Sequence, residues 1–261
     1  MDIQNAAELL LAQHKGRELY FLEDNLMPSD LNEAYKIQRE YQRLASKNQG
    51  AIGGYKLALT SPATQARNGV YEPCLGIILQ GNIRNAPSTL KASDYVELNL
   101  ECEVAVRLGS DLPAIGAPYD LNMVSQAVES VSVALEMLDN RRFPGNASQT
   151  PFLTIVASNI FNEGVVIGDA VSDWRSLDLQ GAHGYMEING KTVGEGHGSE
   201  VMGHPLEPLA WLANALANQG IGLSAGLVII TGAFFLPKQV RAGDNISAVI
   251  DGLGEAKVTI L

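Results

Sequence analysis

Hydrophobic and polar residues alternate most sharply over residues 96–108. Val96, Leu98, Leu100, Cys102, Val104 and Val106 take one set of positions, and Glu97, Asn99, Glu101, Glu103 and Arg107 take the other. A period of two predicts a strand with chemically opposite faces. Earlier in the chain the period is helical. Leu31, Ala34, Ile37, Tyr41 and Leu44 recur every three or four residues, Asp30 and Glu33 have the spacing of a capping box, and Gly50 is placed to end the helix, which is expected over residues 31–48. Residues 6–15 are Ala/Leu-rich and predict another helix. We therefore divide the chain into a helical N-terminal region, residues 1–50, and a catalytic domain, residues 51–261. The domain opens with two short strands, Tyr55-Lys56-Leu57-Ala58-Leu59 and Leu75-Gly76-Ile77-Ile78-Leu79, separated by a loop carrying Ser61, Pro62 and Gly69.

Further on, the pattern predicts a helix over 120–130 and strands over 131–138 and 164–168. Asn189-Gly190, between Met186-Glu187-Ile188 and Lys191-Thr192-Val193, is a two-residue hairpin signal. A helix over 205–218 starts with proline in its first turn and closes at Gly220. Strands are expected at 227–231, 246–250 and 256–261, the last two joined through Gly252-Leu253-Gly254. Without repeats or low-complexity segments, this order describes an α+β protein rich in antiparallel strands.

Composition narrows the partners. With 261 residues, 46% of them hydrophobic, the chain can bury one large core without a staple. A net charge of −11 argues against nucleic acid and acidic membrane surfaces, which would repel it. Cys74 and Cys102 are too few for a disulfide framework and lack zinc spacing. The start Met1-Asp2-Ile3-Gln4-Asn5 lacks the basic residues and apolar run of a signal peptide, and no stretch has the length of a membrane span. These features predict a cytoplasmic protein, either an enzyme or a partner-binding subunit.

Glu101 and Glu103, two residues apart on one strand, point the same way with attachment points roughly 6.5 Å apart. Two close carboxylates repel, and a divalent cation is the simplest partner that keeps both ionised. A solvated polar face is the alternative reading of the same alternation. Glu136 shares a face with Ala134 and Leu138 in a second strand, where an unpaired charge among Val133, Leu135 and Met137 would be costly to bury. Oxygen ligands in a chain with four histidines favour Mg²⁺ or Mn²⁺ over zinc.

The blocks Tyr55-Lys56-Leu57-Ala58-Leu59-Thr60-Ser61, Glu101-Cys102-Glu103, Ala134-Leu135-Glu136, Gly196-His197-Gly198-Ser199-Glu200-Val201-Met202-Gly203-His204-Pro205-Leu206 and Ile230-Thr231-Gly232-Ala233 occur in order. Together they resemble the 2-oxopent-4-enoate (2-hydroxypenta-2,4-dienoate) hydratases and their sister 2-oxo-3-hexenedioate decarboxylases, in the fumarylacetoacetate hydrolase-like superfamily. The resemblance implies a mixed β-barrel or roll with peripheral helices, a homo-oligomer, and a complex with a sister enzyme of the pathway. It implies a Mg²⁺ or Mn²⁺ triad of Glu101, Glu103 and Glu136 and an active-site lysine at Lys56, for enolate stabilisation or proton transfer, where a partly buried amine beside a cation can have a lowered pKa; a salt bridge to one of the glutamates is its plainer reading. Thr60, Ser61, Thr231 and Gly232 become candidate contacts to the substrate carboxylate, and Ser199 and Glu200 candidate placements for a substrate group or water. Their plainer readings are turn residues and a surface charge. The Gly-Ser-Glu-x-x-Gly-His-Pro block favours the hydratases, although His204-Pro205 reads equally well as a helix entry.

Two departures stand out. Pro73-Cys74-Leu75-Gly76 places a thiol where the resembling hydratases carry an acid, and Ser158-Asn159-Ile160-Phe161 stands where they read Asp-Asn-Ala-Ser. The implied reaction is hydration of a 2-hydroxy-2,4-dienoate to a 4-hydroxy-2-oxo acid in aromatic meta-cleavage catabolism, the cation chelating the carboxylate and 2-oxygen. Decarboxylation of a 2-oxo-3-enedioate, C–C hydrolysis of an acylpyruvate and a non-catalytic scaffold are the alternatives. Gly222-Leu223-Ser224-Ala225-Gly226 spells a nucleophile elbow but follows a helix and precedes a strand, the reverse of the required order. The segment 194–198 lacks the setting of a dinucleotide fingerprint. Arg141 and Arg142, in a loop over 141–151, are expected to meet a second substrate carboxylate or to form a solvated turn.

Overall fold

Two mixed sheets, rather than one closed barrel, build the fold in the computed structural model, which describes residues 2–142 and 150–261. The larger runs β2(Cys74–Leu79)–β1(Ile52–Ala58)–β10(Val228–Ala233)–β5(Leu98–Leu108)–β6(Val128–Asp139)–β7(Asn162–Ile167)–β3(Ile83–Asn85), with β11(Lys238–Gln239) also paired to β5. The smaller runs β4(Ser88–Leu90)–β13(Gly254–Ile260)–β12(Asn245–Ile250)–β8(His183–Ile188)–β9(Lys191–His197). Neither sheet closes into a barrel among the described residues, and the helices expected at the N-terminus are present.

The alternation of β5 does what its sequence dictates. Leu98, Leu100, Cys102, Val104, Val106 and Leu108 join Val133, Leu135 and Met137 of β6 in the main core, against Met186, Ile246, Ala248, Ile250 and Val258 of the smaller sheet. On the opposite face Ala105, Ala134, Val165, Ile167, Val228, Ile230 and Ile78 form a small second cluster. By strand periodicity Glu101, Glu103, Glu136 and Lys56 extend that second face.

Helices α1(Ile3–Gly16) and α2(Leu31–Gln49) pack with α5(Phe152–Ala157), Cys74 and Phe161 in a third cluster. Asp30 caps α2 by accepting from the Glu33 amide at 2.8 Å, while the Glu33 carboxylate turns to the amide and hydroxyl of Ser29. The expected loop over 61–69 contains a helix, α3(Pro62–Asn68), with Ser61 at its N-cap, proline in its first turn and left-handed Gly69 at its end. All three helix signals were present, and the segment is merely short. Conversely, the helix expected over 120–130 is only α4(Leu121–Ala127), because the β-branched run from Val128 continues into β6. Among the described residues the remaining α-helix is α6(Glu207–Ala217). Among the described residues no helix is long and apolar enough to cross a membrane.

Candidate metal centre

Strand register assembles the centre. β5 and β6 are paired with Glu101 directly opposite Glu136 and Glu103 opposite Ala134. One carboxylate oxygen from each of Glu101, Glu103 and Glu136 lies within 4.8 Å of the others. Two oxygens bound to one hard cation at 2.0–2.6 Å can be no more than roughly 5 Å apart, so the spacing fits a single ion. Lys56 enters from β1, opposite Ile230 and Gly76. A Cβ at Gly76 would sit 2.9 Å from Lys56 Cγ, so only glycine leaves the lysine its path. Lys56 Nζ lies 2.9 Å from Glu136 Oε1. Lys56, Glu103 and Glu136 are buried and Glu101 is partly exposed.

Each buried carboxylate has one oxygen held and one free. Glu136 Oε1 accepts from Lys56 and from Asn162 Nδ2, the latter at 2.8 Å. Glu103 Oε2 accepts from the Gly232 amide at 2.7 Å. Glu136 Oε2 and Glu103 Oε1 are buried without a donor. Burying such oxygens unpaired is expensive, and a cation between them removes the cost. Gly232 has φ +119°, in a β10 irregularity between Ile230 and Ala233, and a Cβ there would collide with Thr60. The amide that holds Glu103 therefore requires glycine.

Crowding of like charges shifts the group. Burial and the Glu136 charge push Glu101 up to about 8, against the pull of Lys56. Burial, Glu136 and Glu101 hold Glu103 well above the usual carboxylate range. Burial alone would lower the Lys56 ammonium, but the charges of Glu136, Glu101 and Glu103 outweigh it and raise it. An acid raised on folding stabilises fully below its unfolded pKa, and that stability is lost as pH rises through the folded value. The chelator-treated protein is accordingly expected to lose melting temperature between about pH 5 and 8 from this cluster. A Glu101→Gln variant, compared by thermal melts across the same range, should show a smaller loss; equal slopes would rule out Glu101 as a source.

Residues 38–261 match the fumarylacetoacetate (FAA) hydrolase C-terminal family. The chain belongs to that family. Over 254 residues, 97% of this chain and 95% of the relative, it is 30% identical to a 2-keto-4-pentenoate hydratase of Burkholderia vietnamiensis. Over 249 residues, 95% and 92% of the two chains, it is 33% identical to a 2-hydroxyhexa-2,4-dienoate hydratase of Comamonas testosteroni. A solved 4-oxalocrotonate decarboxylase from Pseudomonas putida, complexed with magnesium and adipate, superposes with a TM-score of 0.89 at 28% identity, covering 99% of this chain and 97% of that one.

In this member of the FAA hydrolase family the other candidate residues are distributed unevenly. Thr60 is buried beside Gly232, and its carbonyl accepts from the Met202 amide at 3.0 Å, which ties the 199–203 turn to the end of β1. Ser61 faces Thr64 as the cap of α3. The Thr231 hydroxyl is buried and donates to the Val104 carbonyl at 3.2 Å. Ser199 and Glu200 are exposed. His204 Nδ1 accepts from the Leu206 amide at 3.0 Å, the helix-entry role. Cys102 and Cys74 are buried, and burial pushes the Cys74 thiol up to about 11, so it is neutral at physiological pH.

Arg141 forms neither a solvated turn nor a free substrate anchor. It is buried and ion-paired to Asp139 at 2.8 Å. Most of the 141–151 loop, residues 143–149, lies outside the described residues. Pattern reasoning missed Asn162, whose amide reaches Glu136. Its only signal was an amide side chain at the entry to a Val/Ile strand.

Proposed function

We propose that the chain is a divalent-metal-dependent lyase that adds water to a 2-hydroxy-2,4-dienoate, giving a 4-hydroxy-2-oxo acid, with Glu101, Glu103 and Glu136 as ligands of Mg²⁺ or Mn²⁺. The observation that carries this reading is the pair of orphaned buried oxygens, Glu103 Oε1 and Glu136 Oε2, within reach of Glu101. Oxygen-only donors suit a hard cation, and the hydratase relatives supply the substrate class. When bound, the cation supplies Lewis-acid charge to the substrate carboxylate and 2-oxygen. Lys56, whose ammonium lies beside the cluster, donates a hydrogen bond to the enolate oxygen left when the 2-hydroxyl loses its proton and stabilises its charge, while the proton of the ketonisation step goes to the far end of the diene. Thr60 beside Gly232 offers a hydroxyl to the substrate carboxylate, Ser61 and Thr231 support that corner through the α3 cap and the Val104 carbonyl, and Ser199 and Glu200 on the adjoining turn face the substrate tail or water.

Lys56→Met tests the division of labour. Turnover should fall by about 10²–10⁴-fold while Mn²⁺ affinity, measured by calorimetry, stays within a few-fold of the native value. Loss of the metal instead would make Lys56 a structural counter-ion.

Decarboxylation is the second reading, favoured by the close superposition on the decarboxylase and by the neutral thiol of Cys74. Incubation with Mn²⁺ and either 2-hydroxypenta-2,4-dienoate or 2-oxo-3-hexenedioate separates the two. Water addition without CO₂ release supports the hydratase, CO₂ release with no hydration supports the decarboxylase, and turnover of neither removes both.

A further inference from the structure

The Lys56–Glu136 ion pair raises a question about what holds Glu136 once a cation is present, and the answer rests on the metal reading above. An ammonium 2.9 Å from Glu136 Oε1 stands beside the free oxygen Glu136 Oε2, and a divalent charge arriving there repels it. If Lys56 alone oriented Glu136, its displacement would release the carboxylate from ligand geometry. A second, uncharged donor is already in place. Asn162 Nδ2 reaches the same Oε1 at 2.8 Å, and Asn162 is only 8% exposed.

The backbone that delivers Asn162 is built for fixed placement. Asn159, Ile160 and Phe161 have φ of 68°, 53° and 60°, three successive left-handed residues of which none is glycine. Such a conformation is strained for residues with a Cβ and persists only where surroundings determine it. Asn159 supplies one constraint, since its amide donates to the Ile77 carbonyl at 2.9 Å and accepts from the Ile77 amide at 2.7 Å, standing in for a strand partner. Phe161 supplies the other, buried and stacked on Tyr20 with ring centroids 6.2 Å apart. Immediately afterwards β7 begins, and a register shift between Met137 and Leu138 sets Asn162 opposite Leu138, within reach of Glu136.

We propose that Asn162 is a positioning residue that keeps Glu136 aimed at the cation independently of Lys56. The test is Mn²⁺ affinity, read by electron paramagnetic resonance of free and bound Mn²⁺, in the native chain, Asn162→Ala, Asn162→Asp, Lys56→Met and the double variant Lys56→Met/Asn162→Ala. Asn162→Ala is expected to weaken binding about 10–100-fold, as loss of an outer hydrogen bond to a ligand does. Lys56→Met should leave affinity within a few-fold, and the double variant should lose as much as Asn162→Ala alone. Should the alanine variant fail to fold, Asn162→Asp keeps the shape and removes the donor, and its affinity is read instead. Native-like affinity in a folded Asn162 variant, or a loss in Lys56→Met equal to that in Asn162→Ala, overturns the proposal. Absence of Mn²⁺ binding in the native chain would instead overturn the metal reading beneath it.

Discussion

Glu103→Gln is expected to abolish Mn²⁺ binding and to lower turnover by on the order of 10³-fold or more, since Lewis-acid stabilisation is worth several kcal/mol and each 1.36 kcal/mol is a factor of ten. The substitution keeps size and hydrogen bonding, because the glutamine oxygen can still accept from the Gly232 amide that holds Glu103 Oε2. What changes is charge. Glu103 is buried against the charges of Glu136 and Glu101, with Lys56 as a compensating cation. Removing one negative charge relieves that repulsion, so the chelator-treated variant should melt at or above the chelator-treated native protein at pH 8. With saturating Mn²⁺ the order should reverse, because a cation that binds only the native fold stabilises it in proportion to its affinity. This crossing of melting temperatures distinguishes a lost ligand from a damaged fold. A variant that still binds Mn²⁺ at native affinity would remove Glu103 from the centre.

Some of this centre was written in the pattern of β5 and some could not have been. Alternation over residues 96–108 placed Glu101 and Glu103 on one face without further information, and the isolated charge of Glu136 among Val133, Leu135 and Met137 marked it as needing a partner. That Glu136 lies directly opposite Glu101 depends on the register of β5 against β6, which no local period in either strand encodes. Lys56 was legible only through the resemblance of its block, because nothing in Tyr55–Ala58 says that the strand abuts β10. Asn162 was missed for a related reason. Its approach to Glu136 depends on the left-handed run Asn159–Phe161, and neither Ile160 nor Phe161 is a residue type that advertises such a conformation. The same limit applies to Arg141, whose partners come from positions far apart in sequence.

Arg141→Met is expected to cost about 3–5 kcal/mol of unfolding free energy, the usual result of leaving one buried member of an ion pair without the other. Arg141 is 1% exposed; its Nε donates to Asp139 Oδ2 at 2.8 Å, and one terminal nitrogen lies 2.8 Å from the same oxygen. The other terminal nitrogen donates to the carbonyls of Gln13 and His14 at 3.1 Å and of Glu18 at 3.2 Å, capping the C-terminal end of α1. Asp139 in turn accepts from the amides of Val96 and Glu97 through Oδ1, both at 2.8 Å, just before β5 begins. One guanidinium therefore joins the N-terminal helix to the end of β6 and the approach to β5. Methionine fills the volume but leaves Asp139 charged and buried and the helix-end carbonyls short of a donor. Urea unfolding should report the loss, and Arg141→Met/Asp139→Asn should recover part of it, because the double change removes the stranded charge along with its partner. The folded fraction of Arg141→Met should keep native Mn²⁺ affinity, since Glu136 is held by Lys56 and Asn162 rather than by Asp139. A cost below about 1 kcal/mol would mean that solvent reaches Asp139 and that the pair is an exposed one in its energetics. A folded variant with weakened Mn²⁺ binding would mean that the end of β6 sets the geometry of Glu136, and the anchor would then be part of the metal centre.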